Sequence, residues 1–438
     1  MSPELLGAVM MAALIAGICA GFPIAFTLVV ITVVFGYIGL GPMVFDLIAL
    51  QTIGLAKEEV LAAVPLFIFM GYMTEQAGLM ERLFLAFQLA LAPIRGSLYL
   101  AVILTATVFA MATGIVGAAV TVLGIMAGGT MIRAGYDTRL SAGVITAGGT
   151  LGILIPPSVM LLVMGPVMGV SVAKLYAAAF GPGFLLSALY ITYAMVRSYL
   201  TPALGPPLPP EARAPSVTVL VRRLVTGLVP LAILISATLG SILAGLATPT
   251  EAAATGAFGS IVLAVGYRQL TWGRLRDAMI KTLETTSMIV FLALTSNMFG
   301  AVFARLGTAT VVTDALLELQ VPPFLMLLVL NAIFFVLGWP FEWPTIVLVF
   351  LPILLPIVHA MKYDPVWFAT LIAVNLQTTF LSPPVAMAAY YLKAVVPQWE
   401  LGDIMRGMMA FLVLQVIALL VVMLYPPIAL WLPNRLFP

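Results

Sequence analysis

The hydrophobic pattern of the chain consists of long apolar stretches joined by short polar connections. A helix that crosses a bilayer needs about 20 mostly apolar residues. Apolar stretches occur at 5–40, 61–78, 97–132, 139–170, 172–196, 219–246, 250–267, 285–304, 322–338, 343–361, 366–392 and 407–432. The pattern predicts an all-α polytopic membrane protein. The first stretch exceeds one ordinary span, and Gly21-Phe22-Pro23 is expected to break it, either into a kinked helix or into two short spans.

The composition excludes several other classes of protein. Hydrophobic residues make up 63% of the chain and charged residues 8%, whereas a soluble globular protein carries roughly 25% charged residues. So little charge cannot cover a surface in water, which excludes a soluble enzyme, a nucleic-acid-binding protein and a disordered chain. One cysteine and one histidine are too few for a disulfide framework or a metal cluster. The first four residues lack a basic segment, so no cleaved secretory signal is expected.

The basic residues and one proline-rich connection predict the orientation of the chain. Residues 200–218 form the one long hydrophilic connection, and their prolines indicate an extended linker between two halves. If 97–132 is a hairpin that returns to its starting face, most of the 19 basic residues lie on the side of this linker. Because Lys and Arg are retained in the cytoplasm, we expect the linker to be cytoplasmic and 360–364 to face the periplasm.

The two halves share a spaced pattern. Tyr136-Asp137 precedes Pro156-Pro157 at the spacing at which Tyr363-Asp364 precedes Pro383-Pro384. Each half also holds an apolar hairpin with a broken tip, at 113–117 and at 340–344. The charge count places the bases of the two hairpins on opposite sides of the membrane. The sequence therefore predicts an inverted repeat with two re-entrant hairpins and two broken helices.

Matched breaks within membrane spans point to a binding site. Hydrocarbon tolerates non-helical backbone only where protein or a water-filled cavity satisfies its polar groups. Two broken segments that meet near the midplane present carbonyls and half-helix ends, which bind cations and anions. The alternative is that Pro and Gly mark only kinks. The matched spacing in both halves favours the binding site.

These features divide the chain into five regions. The regions are 1–60 with the N-terminal span or spans, 61–199 with the first repeat, 200–218 with the linker, 219–284 with scaffold spans and a cytoplasmic arm, and 285–438 with the second repeat and the last span. The first repeat contains the hairpin 97–132 and the broken helix 139–170, and the second contains the hairpin 322–361 and the broken helix 366–392. Segments 79–95 and 305–320 are amphipathic and are predicted to lie in the membrane interface.

Several motifs, in order, resemble the large membrane subunit of a tripartite ATP-independent periplasmic (TRAP) transporter. The matching stretches are 149–158 (GTLGILIPPS), 248–254 (TPTEAAA), 338–356 and 381–385 (LSPPV). The resemblance runs from about residue 5 to the C-terminus. It implies an elevator-type secondary transporter of the bacterial inner membrane that takes up organic acids with sodium. It also implies a small membrane subunit and a periplasmic substrate-binding protein as partners, and no organic cofactor.

The resemblance also implies two sodium sites. The first would comprise Thr113, Gly114, Gly152, Leu154 and Pro157. The second would comprise Gly338, Pro340, Glu342, Thr379, Leu381 and Pro384. The family usually has an aspartate in place of Glu342, and two oxygen-bearing family residues fall on Ile115 and Ala119 here. Sodium at the first site would therefore depend on Thr113 and on backbone carbonyls.

Other polar residues within the spans have two interpretations each. Asn375, Gln377, Ser158 and Ser382 are candidates to bind the substrate, and interhelical hydrogen bonding is the alternative. Glu342 either binds an ion or caps the half-helix that starts at Trp343. Thr248 and Glu251 have the spacing of a capping box at a helix start.

Two other functions are alternatives to sodium-coupled transport with a binding protein. A self-sufficient ion-coupled carrier of dicarboxylates or citrate would share the inverted repeat. The sequence of one chain cannot show a binding protein, which is the feature that distinguishes the two. An intramembrane enzyme would need a paired nucleophile and base or a metal cluster, and the chain offers neither.

Overall fold

The computed structural model describes residues 2–209, 213, 216–383 and 385–437. The described residues form helices joined by short turns. Helices α1 to α8 are Pro3–Cys19, Ile24–Leu40, Met43–Ala56, Ala63–Gln76, Leu79–Leu91, Ser97–Thr113, Val116–Leu123 and Gly129–Arg133. Helices α9 to α16 are Thr138–Thr150, Val159–Met168, Val172–Leu200, Val217–Ile235, Ser241–Leu243, Pro249–Gly266, Trp272–Arg305 and Thr308–Leu317. Helices α17 to α23 are Pro323–Leu337, Trp343–Thr345, Leu351–Ala360, Pro365–Leu376, Met387–Val395, Leu401–Leu424 and Pro427–Leu436.

The lengths of these helices agree with a polytopic membrane protein. Within the described residues, six helices are long and apolar enough to cross a membrane, or seven if the bent pair Glu59–Gln76 and Leu79–Leu91 forms one span. The stretch 5–40 is two helices of 17 residues each. They separate at Gly21, whose φ of +92° favours glycine, and at Pro23, which precedes α2. Helix α14 begins with the predicted capping box, which is confirmed: Glu251 N donates to Thr248 Oγ1 at 3.3 Å and Thr248 N donates to Glu251 Oε2 at 2.8 Å.

One group of helices packs around the long helix α15. Helices α2, α3 and α4 all contact α15, α14 packs on α4, and α12 packs on α5. Helix α5 coincides with the predicted interfacial segment 79–95 and turns 56° from α4. Helix α16 lies within the corresponding segment 305–320.

The other group of helices contains the two repeats. In the first repeat the hairpin α6–α7 packs on α9, and in the second the hairpin helix α17 packs on α20. The second arm of each hairpin includes one π-helical turn, at Gly124–Gly128 and at Ile346–Phe350. Helices α11 and α22 pack against α9 and α20, which are the first halves of the two broken helices.

The repeats match in local detail as well as in order. Asp137 and Asp364 cap α9 and α20 by accepting hydrogen bonds from Leu140 N at 2.8 Å and Trp367 N at 2.9 Å. The Tyr136 hydroxyl accepts a hydrogen bond from Leu98 N at the start of the first hairpin, and the Tyr363 hydroxyl donates to Pro323 O at the start of the second. The fold is therefore the predicted all-α inverted repeat with two re-entrant hairpins and two broken helices.

The described part of the proline-rich connection lies against the first repeat. Leu208 N donates to Ala92 O at 3.1 Å, and Gly96 N donates to Gly205 O at 2.9 Å. Residues 202–204 form a short 3₁₀ turn that accepts a hydrogen bond from Asp137 N. Residues 201–209 are thus fixed to the base of the first hairpin, whereas 210–212, 214 and 215 lie outside the described residues.

Candidate functional site

The first hairpin and the first broken helix break at facing positions. Helix α6 ends at Thr113. Its C-cap Gly114 adopts a φ of +63°, and Ile115 is extended before α7 begins. Helix α9 ends in a 3₁₀ turn at Leu151–Ile153, and its continuation α10 starts only at Val159. Because side chains with a Cβ rarely adopt positive φ, Gly114 allows the reversal at the tip.

The first tip lies directly on the first break. A Cβ built on Gly152 would lie 3.7 Å from Thr113 Oγ1, and one built on Gly114 would lie 3.5 Å from the carbonyl oxygen of Pro157. Gly71 of α4 packs against the backbone of Thr113 from the other side. Leu154 is fully buried at the same break. The structure therefore brings together all five residues of the predicted first ion site.

The second hairpin tip also lies on the second helix break, and here a threonine side chain lies at the contact. A Cβ on Gly338 would meet Thr379 Cγ2 at 2.5 Å, so only glycine allows this approach. Leu381 is fully buried at the end of the 3₁₀ turn Gln377–Phe380. Pro340 and Glu342 are exposed on the tip. Pro384, the remaining residue predicted for the second site, lies outside the described residues.

Glu342 occupies the N-cap position of α18, but its carboxylate accepts no capping hydrogen bond. Capping is therefore not the role of this side chain here. Instead, Glu342 lines a cavity of about 130 Å³. Glu342 therefore lies where the ion-binding interpretation requires a carboxylate, and that interpretation stays a prediction.

The cavity lies between both tips, both breaks and the long helix α15. It is lined by Gly114–Gly117 and Glu342-Trp343 from the tips, Ile153, Val159 and Phe380 from the breaks, Ile68, Thr285, Met288 and Ile289 from α4 and α15, and Tyr391 from α21. A second, larger cavity of about 750 Å³ opens beside the second arm of the first hairpin, where Arg82, Arg223 and Arg274 are among its lining residues.

The four residues predicted to bind substrate lie in the interior rather than on the inner cavity. Asn375 Nδ2 donates to Asn331 O at 2.7 Å, and Gln377 accepts a hydrogen bond from Thr150. Ser158 caps α10 by accepting from Leu161 N at 3.3 Å, and Ser382 is buried. All four are at most 2% exposed.

Sequence reasoning missed three polar or aromatic residues that do line the cavity. Tyr391 contacts Gly117 of the first tip, since a Cβ there would lie 3.2 Å from Tyr391 Cζ. Thr285 carries the only hydroxyl that α15 contributes to the cavity lining. Trp343 follows Glu342 on the second tip. Trp343 lies within the matched tip 340–344 but was not singled out as a lining residue. Thr285 and Tyr391 belong to no repeated motif, so no spacing signal identified them.

Two hairpin tips that face two helix breaks around one inner cavity define a secondary-transporter type of membrane protein. A family model described as "Tripartite ATP-independent periplasmic transporter, DctM component" matches residues 8–428. The chain therefore belongs to the TRAP transporter large permease family.

Individual relatives and one solved structure agree with this assignment. The chain is 29% identical over 392 residues to the C4-dicarboxylate TRAP transporter large permease protein DctM of Pseudomonas aeruginosa, covering 89% of this chain and 90% of that protein. It is 30% identical over 425 residues to the sialic acid TRAP transporter large permease protein SiaM of Vibrio cholerae, covering 95% of each. The Alcanivorax borkumensis YdaH transporter superposes with a TM-score of 0.65 at 17% identity over 100% of both chains, which shows a shared fold.

Proposed function

We propose that this chain is the subunit through which a small organic acid crosses the inner membrane together with sodium, after delivery by a periplasmic binding protein. The observation that carries the proposal is the single cavity bounded by both tips and both breaks. Relatives named for C4-dicarboxylates and sialic acid, which are both carboxylic acids, support the class of solute.

Sodium fits the chemistry of the two tip–break contacts. Sodium prefers oxygen ligands, as the other hard cations calcium and magnesium do. The first contact offers the Thr113 hydroxyl beside broken backbone, and the second offers Thr379 and the Glu342 carboxylate. Thr113 Oγ1 is 3.4 Å from Phe109 O, a long hydrogen bond that leaves its lone pairs free for an ion.

The packing supports an elevator mechanism for the transport step. The two repeats share a core with α11 and α22, whereas α2, α3, α4 and α14 associate with α15 or with one another. The inner cavity lies between these groups, with α4 and α15 on one wall and the tips on the other. Movement of the repeat group along this wall would carry an enclosed solute from one side of the membrane to the other.

The proposal is tested by uptake into proteoliposomes that contain this chain and its small membrane subunit. The solutes would be radiolabelled C4-dicarboxylates, sialic acid and small monocarboxylates, each with and without binding protein and with sodium replaced by choline. We expect uptake that requires both sodium and the binding protein. Strong uptake by the purified chain alone would favour a self-sufficient carrier, and uptake indifferent to sodium would contradict sodium coupling.

Thr113 provides the residue-level test. Thr113→Val keeps the shape of the side chain and removes its hydroxyl, so we expect half-maximal uptake to need roughly 10- to 150-fold more sodium, since a bond to a charged group is worth about 1.5–3 kcal/mol. Thr113→Ser should remain near wild type. The matched control is Thr107→Val, because the Thr107 hydroxyl lies on the same helix but bonds to Ile103 O and Ser187. Unchanged sodium dependence in Thr113→Val would remove Thr113 from the site.

A further inference from the structure

A cluster of buried polar side chains joins the two broken helices. Thr150 ends α9, and Gln377 holds the corresponding position after α20, 227 residues later. Thr150 Oγ1 donates to Gln377 Oε1 at 3.1 Å. Because corresponding residues of the two repeats contact each other, the pseudo-twofold axis of the repeats passes between them.

Two residues from the surrounding helices complete this cluster. Gln415 of α22 donates from Nε2 to Thr150 Oγ1 at 3.3 Å. The Tyr190 hydroxyl of α11 adjoins both Gln415 and Thr150. All four side chains are 0% exposed. The central cluster is Thr150, Gln377, Gln415 and Tyr190. Its hydrogen bonds join both broken helices to α22, and Tyr190 of α11 lies beside them.

Counting donors and acceptors shows which polar atoms of the central cluster are paired. The Thr150 hydroxyl has one hydrogen, and its oxygen also lies 2.8 Å from Ala147 O. Among the described atoms, Gln377 Nε2, Gln415 Oε1 and the Tyr190 hydroxyl lack partners. If the Gln377 amide is turned over, its Nε2 donates to Thr150 while Thr150 donates to Ala147. The two glutamine amides then occupy both lone pairs of the Thr150 oxygen, and Tyr190 faces the free Gln415 oxygen.

The position of the central cluster connects it to both candidate ion sites. Thr150 immediately precedes the turn Leu151–Ile153, which contains Gly152 of the first site. Gln377 opens the turn Gln377–Phe380, which contains Thr379 of the second site. Unpaired polar groups are costly in a buried, low-dielectric interior, so a displacement of one turn that breaks these hydrogen bonds is unfavourable unless the other turn moves with it.

We propose that the central cluster couples the two ion sites, with Thr150 and Gln377 as positioning residues rather than ion ligands. This inference rests on the proposed function, since it needs an ion at each break. An ion that orders one turn orders the other through the cluster, so the second ion binds a site that has already lost its conformational freedom. Sodium binding is therefore positively cooperative, and the coupling is reciprocal between the two sites.

The test measures sodium binding without a solute or a binding protein. This chain, purified with its small membrane subunit, would be heated at increasing NaCl concentrations with choline chloride holding the ionic strength constant. The rise in melting temperature with sodium gives a half-saturating concentration and a Hill coefficient. The variants are Thr150→Val, which keeps the shape, and Gln377→Met, which keeps the length of the side chain.

We expect wild type to have a Hill coefficient between one and two, the limit for two sites. Each variant should lower the coefficient towards one and raise the half-saturating sodium concentration about two- to tenfold, the range for one hydrogen bond. The double variant should lower the coefficient no further than Thr150→Val alone, because Thr150→Val already removes the contact with Gln377. Thr150→Ser keeps the hydroxyl and should retain the wild-type coefficient.

Thr146→Val is the matched control for this test. The Thr146 hydroxyl lies one turn earlier on α9, is equally buried, and bonds only to Ala142 O and Gly143 O of its own helix. The Thr146→Val variant should have a lower melting temperature but an unchanged Hill coefficient. A wild-type coefficient of one, or variants that keep the wild-type coefficient, would overturn the coupling alone. No sodium-dependent stabilisation of wild type would overturn both the coupling and the proposed sodium sites.

Discussion

The two repeats reach the same architecture through different packing. In the first, Gly148-Gly149 lies in the last turn of α9, and a Cβ on Gly149 would lie 3.1 Å from Val120 N of the hairpin. In the second, the corresponding residues are Asn375 and Leu376, and Asn375 clamps the hairpin through its hydrogen bond to Asn331 O. Close backbone contact holds the first pair of elements, and side-chain hydrogen bonding holds the second. Only the repeated architecture is common to both.

The tips differ in charge as well. Ile115 of the first tip corresponds to Glu342 of the second, so the carboxylate on the inner cavity comes from one repeat only. An apolar first tip and a charged second tip face the same cavity. The two predicted ion sites would therefore have unequal ligand chemistry, although the backbone breaks beside them are alike.

The largest expected effect is on stability, and it tests whether close backbone contact holds the first repeat together. Gly149→Leu gives the first repeat the side chain found in the second, and it forces the helix away from Val120. Overpacking in a close-packed interior costs about 1–3 kcal/mol and occasionally more, and no flexible side chain here can yield to it. We expect poor recovery of folded protein and a clear fall in melting temperature, measured by tryptophan fluorescence in detergent.

Gly300→Leu is the control for that substitution. Gly300 lies within α15, and nothing stands within 4 Å of a Cβ built on it. The same gain in side-chain volume should therefore leave the melting temperature almost unchanged. Equal falls in melting temperature at both positions would show that the close approach of α9 to the hairpin is not the reason for glycine at position 149.

The second effect concerns the charge difference between the tips. Glu342→Gln removes the charge and keeps the size, and we expect the sodium needed for half-maximal uptake to rise roughly 10- to 150-fold if about 1.5–3 kcal/mol is lost. The capping alternative predicts little change, and the carboxylate makes no capping bond. Glu318→Gln, an exposed carboxylate of the same repeat, is the control. Intact sodium dependence in Glu342→Gln would make the tips functionally equivalent.

Sequence reasoning predicted those parts of the fold that local chemistry determines. Proline cannot donate a backbone hydrogen bond, so the Pro-Pro pairs marked the breaks directly. The capping box at Thr248 was equally readable, because its two bonds join residues three positions apart. Long apolar stretches predicted the membrane class, although α1 and α2 could be separated only in the structure.

The lining of the inner cavity was beyond sequence reasoning for a different reason. Thr285 and Tyr391 reach the cavity because α15 and α21 pack beside the tips, which local propensity does not encode. Conversely, Asn375 and Gln377 stand next to a predicted break, but the inward face of their helix turns them towards Asn331 and Thr150. Proximity along the chain identified the break, but the rotation of the helix about its axis determines which side chains face the cavity.

The smallest expected effect is on the helix caps, which are the feature that the two repeats share. Asp137 and Asp364 each cap a broken helix with one hydrogen bond, at 2.8 and 2.9 Å. Asp137→Ala and Asp364→Ala should each cost about 0.5–2 kcal/mol of unfolding free energy, and the two losses should agree closely. Asp→Asn at either position should restore most of the loss, because asparagine caps nearly as well.

The measurement is chemical unfolding in mixed micelles, with the double variant included. The two caps begin different helices and share no partner, so their losses should add to within about 0.5 kcal/mol. A much larger loss at Asp137 would mean that the side chain does more than cap there. The additional loss would then come from the contact between Asp137 and the linker, since Asp137 N also donates to Leu204 O. Equal and additive losses would instead show that the repeats remain equivalent at their helix starts, and that their divergence is confined to the breaks and tips.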